Sequence, residues 1–199
     1  MGSCKQLLPL NCKPVIIHCL EAMISAAISD IIVVINSDGD AVIEATAGFQ
    51  VTIARNEDPE SDMAESVRVG LGKIAVASTG VIVALTDHPL VSSRTYSLLV
   101  ERHRMEPDSV IIPVYEGKKG HPTLFSRAIL EELKKPLTLR DIIRKHSDKV
   151  CEVIVPDRGV TLDMDTRKDY DMMRAIFSSL ASVKCFLEER SLTISGEQR

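Results

Sequence analysis

The sequence predicts an α/β fold in which helices cover a mostly parallel sheet. The main observation is that stretches rich in β-branched residues alternate with stretches of helical period, an order typical of parallel strands joined by crossover helices. The composition agrees, because 199 residues with 45% apolar and 26% charged side chains can form the core of one α/β domain. These values exclude a fibrous or mostly disordered protein.

Each predicted element follows from a local signal. Pro14 suits a first helical position, and apolar residues then recur on one face until Ser29 and Asp30 interrupt the pattern. Residues 31–35 and 81–85 are apolar throughout, which is typical of buried strands. The other predicted strands are residues 49–54, 110–114, 123–125 and 150–155. The other predicted helices are residues 41–47, 63–74, 126–134, 139–146 and 166–180, together with a helix that Ser92 and Ser93 can cap and that runs to about residue 105.

We predict one domain over residues 1–180, followed by a peripheral tail over residues 181–199. No run approaches the roughly 18 apolar residues of a membrane span, and the start lacks the pattern of a secretory leader. We therefore expect a cytoplasmic protein with no membrane partner. A net charge of −4, with three Tyr, four Phe and no Trp, argues against a nucleic-acid partner.

Asp87 is the first candidate for a ligand site. Ligands of open parallel sheets bind beyond the carboxyl ends of the strands, and Asp87 directly follows the apolar strand at residues 81–85. A turn fixed by Pro89 would hold its carboxylate at the edge of the sheet, where it can bind a hard cation. The alternative is that Asp87 only caps the next turn.

Asp163 and Asp165 form a second candidate site. They are two residues apart, so an extended backbone would direct both carboxylates to the same side, where a cation could bind. The alternative is that Asp165 or Thr166 caps the helix that follows. The two roles are compatible.

Two further segments carry groups that suit an anion. Residues 117–122, which include Gly120, His121 and Pro122, combine glycine amides with lysines, although a plain hairpin turn explains them equally well. Lys5, taken alone, is typical of a surface lysine.

A loop that leads onto a helix carries Asn56, Ser66 and Arg68. Backbone amides at the start of a helix attract anions, so these residues could lie near a phosphate. A capped helix without a ligand is the other interpretation.

Taken together and in order, these motifs resemble one family. The resemblance depends on Lys5-Gln-Leu-Leu-Pro-Leu10, Thr86-Asp-His-Pro89, Gly120-His-Pro122 and Leu162-Asp-Met-Asp-Thr166, and it extends from about Met1 to Leu180. The chain is similar to the MobA-like nucleotidyltransferases, and within them to the molybdenum cofactor cytidylyltransferase branch. The Gly-His-Pro motif separates this branch from the guanylyltransferase branch.

The resemblance implies a three-layer Rossmann-like nucleotidyltransferase fold. It also implies Mg²⁺-dependent transfer of a nucleotidyl group from a nucleoside triphosphate, with CTP favoured, to a phosphate of a small acceptor, first of all the molybdopterin cofactor. Pyrophosphate would be released, and a molybdoenzyme is an implied protein partner. The implied roles are metal binding by Asp87, Asp163 and Asp165, catalysis by Lys5 and Asp87, nucleotide binding by Lys5, Asn56, Ser66 and Arg68, and acceptor binding by Gly120, His121 and Pro122.

Two departures from the family pattern affect these expectations. Asp62 and Glu65 replace a usual glycine and serine, which weakens the roles assigned to the loop before Arg68. The chain also begins at the final Met-Gly of the family's glycine-rich loop, so the usual first strand is expected to be missing. We hypothesise a shortened form of a longer gene product, or a gap that another segment or molecule fills.

Two alternative functions remain open at this point. The first is an enzyme of the same fold with another small acceptor, such as a sugar phosphate. The second is a non-catalytic accessory protein that binds a molybdopterin-type cofactor. Asp87, Asp163 and Asp165 favour catalysis, because a carrier of an anionic ligand gains nothing from clustered negative charge without a metal.

Overall fold

The structure of the chain, a computed structural model, describes residues 5–58 and 60–179. Its strands are β1 (Pro9–Leu10), β2 (Lys13–Pro14), β3 (Ile32–Ile35), β4 (Thr52–Arg55), β5 (Gly80–Val83), β6 (Val110–Tyr115), β7 (Lys118–Lys119), β8 (Thr123–Ser126) and β9 (Val150–Ile154). Its helices are α1 (Val15–Ser25), α2 (Asp40–Thr46), α3 (Met63–Leu71), α4 (Ser93–Met105), α5 (Arg127–Leu130), α6 (Leu139–Lys145) and α7 (residues 167–179). Short 3₁₀ turns lie at Lys5–Leu7, Ser147–Lys149 and Arg158–Thr161.

The starts of the surface helices follow from their capping residues. The Ser92 hydroxyl accepts a hydrogen bond from the Thr95 N–H at the start of α4, and this confirms the predicted cap. Thr138 and Asp141 form a capping box at the start of α6. Helix α3 ends at Leu71, three residues before the predicted end at residue 74. In the segment that follows, the Asp30 carboxylate accepts a hydrogen bond from the Ala75 N–H.

The predicted α/β fold class is confirmed, with a mixed sheet. Strand β8 lies between β5 and β6 and runs antiparallel to both. Strand β9 pairs with β6 in parallel, and β7 pairs with β6 in the antiparallel sense. Strands β5, β6 and β9 therefore point the same way, and their carboxyl ends share one edge, which we call the carboxyl edge.

Strands β3 and β4 form a separate parallel pair. The Asp30–Ala75 hydrogen bond, 3.1 Å long, places the residue before β3 beside a residue shortly before β5. Strands β3 and β5 thus start at the same edge and point the same way. Between them lies a cavity of about 640 Å³ instead of a strand of the described residues.

Helices cover both faces of the strands, which gives three layers. On one face, Val33 of β3 packs with α1, and Ile82 of β5 packs with Tyr96 of α4. On the other face, Val81 of β5 packs in one cluster with Ala64 of α3. Among the described residues, no helix is both long and apolar enough to cross a membrane. Residues 180–199 lie outside the described residues, so the predicted domain boundary at residue 180 stays a prediction.

Replacement of Leu130 by alanine should destabilise the fold strongly. Leu130 has no exposed surface and packs with Phe125 and Ile142, so we expect Leu130→Ala to lower the free energy of unfolding by about 2–5 kcal/mol. Val76→Ala is the matched control, because Val76 is 91% exposed and its change should stay within about 0.5 kcal/mol. Urea denaturation measures the free energy of unfolding of both variants. Equal losses of stability in the two variants would contradict the burial of Leu130 in this core.

Candidate active site

The carboxyl edge gathers the polar residues that follow the parallel strands. Asp87 comes after β5, and Asp157 comes after β9. Lys5 pairs with a third carboxylate, since its Nζ lies 3.0 Å from Asp165 Oδ1. The common direction of β5 and β9 therefore brings Asp87 and Asp157 to the same edge of the sheet.

Asp87 lies in a tight turn and has one oxygen with no internal partner. Its Oδ1 is buried without a hydrogen-bond partner in the described residues, and it lies 3.8 Å from His88 Nε2. The Asp87 side chain keeps 32% of its surface exposed, so a ligand can still reach it. A buried, unpartnered carboxylate oxygen is costly unless a cation or a donor binds it.

Two glycines let separate backbone segments approach each other around His121. A Cβ added at Gly120 would overlap the Val160 carbonyl oxygen, and one added at Gly159 would overlap the Leu90 carbonyl oxygen. The His121 N–H donates to the Val160 carbonyl at 2.8 Å. As a result the 158–161 turn holds the Gly120–Pro122 segment close to the turn that carries Asp87.

The imidazoles of His88 and His121 lie together beside Asp87. Their ring centroids are 5.1 Å apart, and the planes are tilted by 53°. His88 Nδ1 faces the Gly159 carbonyl at 3.5 Å, while His121 Nδ1 is buried without a partner in the described residues. Burial lowers the pKa of His121, and the neighbouring His88 lowers it further.

Asp163 and Asp165 lie on an extended segment with the predicted alternation. Both are exposed and flank Met164, which is fully buried. Asp163 is near enough to His121 to oppose the lowering of its pKa, whereas Asp165 pairs with Lys5. Within residues 5–58 and 60–179, no three carboxylate, imidazole or thiol groups form a ready metal site.

The residues predicted on the α3 side form a separate group. Asn56 is 4% exposed, and its amide donates to the hydroxyls of Ser61 at 2.8 Å and Ser66 at 3.2 Å. Arg68 pairs with Glu65 at 2.8 Å and reaches the Leu137 carbonyl at 3.4 Å. Asn56 and Ser66 are thus hydrogen-bonded to each other, whereas the Arg68 guanidinium binds groups of the protein itself. The role of Arg68 in nucleotide binding stays a prediction.

Asp157 is a structural residue that the sequence analysis did not single out. Its carboxylate accepts hydrogen bonds from the N–H and hydroxyl of Ser92, the hydroxyl of Thr95 and the N–H of Gly159. It thereby ties the 158–161 turn to the start of α4. The available signal was the Pro-Asp-Arg-Gly turn directly after a predicted strand.

A polar cavity of about 340 Å³ lies next to the segment that carries Asp163. Lys118 and Arg158 bring two cationic groups to it, together with the Tyr115 side chain. Its other lining residues are Glu116, Thr161 and Leu162. This cavity suits a small anionic molecule because two flexible cations border it.

Comparison with known proteins identifies the domain. The MobA-like NTP transferase domain matches residues 1–150. The bifunctional protein GlmU of Sinorhizobium fredii is 28% identical over 129 residues, which are 64% of this chain and 28% of that protein. GlmU of Thermus thermophilus is 30% identical over 127 residues, which are 64% of this chain and 27% of that protein. The chain thus spans little more than a quarter of these relatives.

Solved structures show the same architecture. Rv0371c from Mycobacterium tuberculosis superimposes with a TM-score of 0.77 at 29% identity, over 88% of this chain and 90% of that chain. Its complex with manganese gives a TM-score of 0.73 at 28% identity, over 86% and 91%. A nucleotidyl transferase from Methanothermobacter shares the fold, with a TM-score of 0.76 at 23% identity over 88% and 86%. Because the domain match covers residues 1–150 and the solved structures share the fold, the chain belongs to the MobA-like NTP transferase family.

Proposed function

We propose that the protein transfers a nucleotidyl group from a nucleoside triphosphate to a phosphate of a small acceptor and releases pyrophosphate. The observation that carries this proposal is the buried, unpartnered Asp87 oxygen at the carboxyl edge, in a chain of this family. CTP and a molybdopterin-type acceptor are the favoured substrates, because the Gly120-His-Pro122 motif resembles that of the molybdenum cofactor cytidylyltransferase branch. Such transfer needs positioning and charge neutralisation more than covalent chemistry.

Asp87 and one or both of Asp163 and Asp165 would hold the Mg²⁺. Their oxygens are the ligands that this hard cation prefers, and Mg²⁺ is commonly bound by one or two carboxylates plus substrate phosphates. The described residues contain no group of three such ligands, so substrate phosphates would have to supply the remaining ligands. Bound Mg²⁺ supplies charge stabilisation at the reacting phosphate. The manganese complex of Rv0371c supports a divalent metal.

Lys5 would neutralise the triphosphate. Its ammonium group pairs with Asp165 at 3.0 Å, and both side chains are at least one third exposed. If Asp165 turns toward a metal, Lys5 loses this partner and becomes available to a phosphate.

The acceptor would bind on the side of Gly120, His121 and Pro122. The 158–161 turn, which contacts Gly120 and His121, also lines the 340 Å³ cavity, where Lys118 and Arg158 would suit the negative charge of a phosphorylated acceptor. A neutral His121 would offer a hydrogen-bonding nitrogen without adding positive charge between the two substrates. Another small phosphate, such as a sugar phosphate, would satisfy the same cavity.

Asp87→Asn should abolish Mg²⁺-dependent turnover with little change in the fold. The substitution keeps the size of the side chain but removes the charge that would bind Mg²⁺. We expect at least about a 100-fold loss in Mg²⁺-dependent pyrophosphate release, since metal charge stabilisation is worth several kcal/mol. Calorimetry with CTP, GTP and ATP, with and without Mg²⁺, should show the same loss for the favoured nucleotide.

Asp148→Asn is the matched control for Asp87→Asn. Asp148 is exposed in the Ser147–Lys149 turn that precedes β9, at the opposite edge of the sheet. It should leave nucleotide binding and turnover unchanged. Normal turnover in the Asp87 variant would remove Asp87 from the site and with it the main support for the proposal.

Lys5→Met should weaken nucleotide binding without unfolding the protein. We expect about a tenfold rise in the dissociation constant of the Mg²⁺–nucleotide complex, the equivalent of about 1.4 kcal/mol. The exposed Lys5–Asp165 pair contributes less than about 1 kcal/mol to stability, so the melting temperature should change little. Lys13→Met is the control, because Lys13 also pairs with a carboxylate, Glu21 at 2.6 Å. Equal effects of the two substitutions would refute a role for Lys5.

His121 should stay neutral at pH 7. Burial and His88 lower its pKa, so its imidazole signals in an NMR titration should change below pH 6.5, the midpoint expected in urea. Because the unfolded chain takes up the proton first, the stability contributed by neutral His121 is full above about pH 6.5 and is lost as the pH falls below it. A native midpoint at or above 6.5 would contradict the described burial of the ring.

A further inference from the structure

The turn at residues 158–161 supports the segment beside which the proposed acceptor would bind. Its Val160 carbonyl accepts a hydrogen bond from the His121 N–H at 2.8 Å. Its Arg158 and Thr161 line the polar cavity, and Arg158 supplies one of the two cationic groups there. A shift of this turn would therefore move a cation of the cavity and a hydrogen-bond partner of the neighbouring segment at the same time.

The carboxylate of Asp157 joins this turn to the start of α4, with one oxygen on each side. Its Oδ1 accepts the Gly159 N–H at 2.9 Å, inside the turn. Its Oδ2 accepts the Ser92 N–H at 2.9 Å, the Ser92 hydroxyl at 2.8 Å and the Thr95 hydroxyl at 2.5 Å. The backbone hydrogen bond from the Val160 N–H to the Asp157 carbonyl is longer, at 3.4 Å. The side chain of Asp157 therefore fixes the turn more tightly than this backbone contact does.

Asp157 is poorly suited to bind a cation, although it lies at the carboxyl edge. A carboxylate has about four lone-pair sites, and four donors already use both of its oxygens. Asp87 differs, because its buried Oδ1 has no hydrogen-bond partner among the described residues. Asp87 is thus open to a ligand, whereas Asp157 is occupied by donors of the protein itself.

We propose that Asp157 is a positioning residue for the acceptor. Through the 158–161 turn it sets the affinity for the phosphorylated acceptor, and it takes no part in binding the Mg²⁺–nucleotide complex. The inference rests on the proposed function, since the acceptor must bind beside this turn. Asp157 acts through the Gly159 N–H, and the two chain neighbours of Gly159 are Arg158, which lines the cavity, and Val160, whose carbonyl binds the acceptor-side segment.

The loop that carries Asp87 depends less on this turn. It follows β5 directly, and within it the His88 N–H donates to the Leu85 carbonyl at 3.3 Å. Its polar contact with the turn, between His88 Nδ1 and the Gly159 carbonyl, is long at 3.5 Å. Loss of the Asp157 carboxylate should therefore affect the acceptor side more than the side of the metal and the nucleotide.

Asp157→Asn tests the inference, because asparagine keeps the size of the side chain but has one acceptor oxygen. In either orientation its NH₂ group faces a backbone donor, the Gly159 N–H or the Ser92 N–H, and that N–H loses its acceptor. With Mg²⁺, CTP and molybdopterin, we expect about a tenfold rise in the KM for molybdopterin, while kcat and the dissociation constant of Mg²⁺–CTP stay within about twofold. Pyrophosphate release and calorimetry measure these values.

Hydrogen exchange in the protein without substrates tests the positioning step by itself. In Asp157→Asn we expect at least about tenfold faster exchange at the amides of Gly159 and His121, which lose their fixed acceptors. Asp141→Asn is the matched control, because Asp141 also accepts an N–H and a hydroxyl, both of Thr138, at the start of another helix. It should change neither the KM nor the exchange of these two amides.

The possible failures differ in what they show. Faster exchange at both amides with an unchanged KM would overturn the inference, because the turn would move without any consequence for the acceptor. Unchanged exchange at both amides, or an equal loss of affinity for Mg²⁺–CTP, would overturn it as well. A complete lack of pyrophosphate release by the unsubstituted protein would refute the proposed function, and the inference with it, before any variant is compared.

Discussion

The candidate site depends on backbone segments that lie closer together than side chains would allow. Gly159 meets the Leu90 carbonyl, and Gly120 meets the Val160 carbonyl. The 158–161 turn therefore sits between the loop after β5 and the connection from β7 to β8, with Asp157 fastening it to α4. As a result, the rings of His88 and His121 meet, and Asp87 beside them has a buried oxygen with no hydrogen-bond partner in the part of the chain that the structure describes.

Local signals were sufficient for much of the secondary structure. The Ser92 cap and the alternation around Met164 depend on neighbours within a few residues, so the sequence alone predicts them. The Lys5–Asp165 pair joins residues 160 positions apart, and no local pattern indicates such a contact. Likewise the partners of Arg68 include a backbone carbonyl 69 residues away, which spacing within α3 could not indicate.

Strand order was the least predictable part of the fold. Periodicity predicts that a strand exists but not where it inserts, and β8 takes a place between β5 and β6 that its own residues do not specify. The cavity between β3 and β5 was equally unpredictable, because it depends on where these two strands lie relative to each other.

The insertion of β8 also has a consequence for how the chain folds. Strand β5 finds its neighbour some 40 residues later, and β6 finds β9 at a similar separation. Each pairing closes a long loop before it gains any contact, so the entropy cost comes first and non-local sheets form slowly. Until β8 arrives, β5 has two open edges, which makes an early intermediate prone to pair with other chains. The order in which the strands pair is therefore a point at which association with other chains competes with folding.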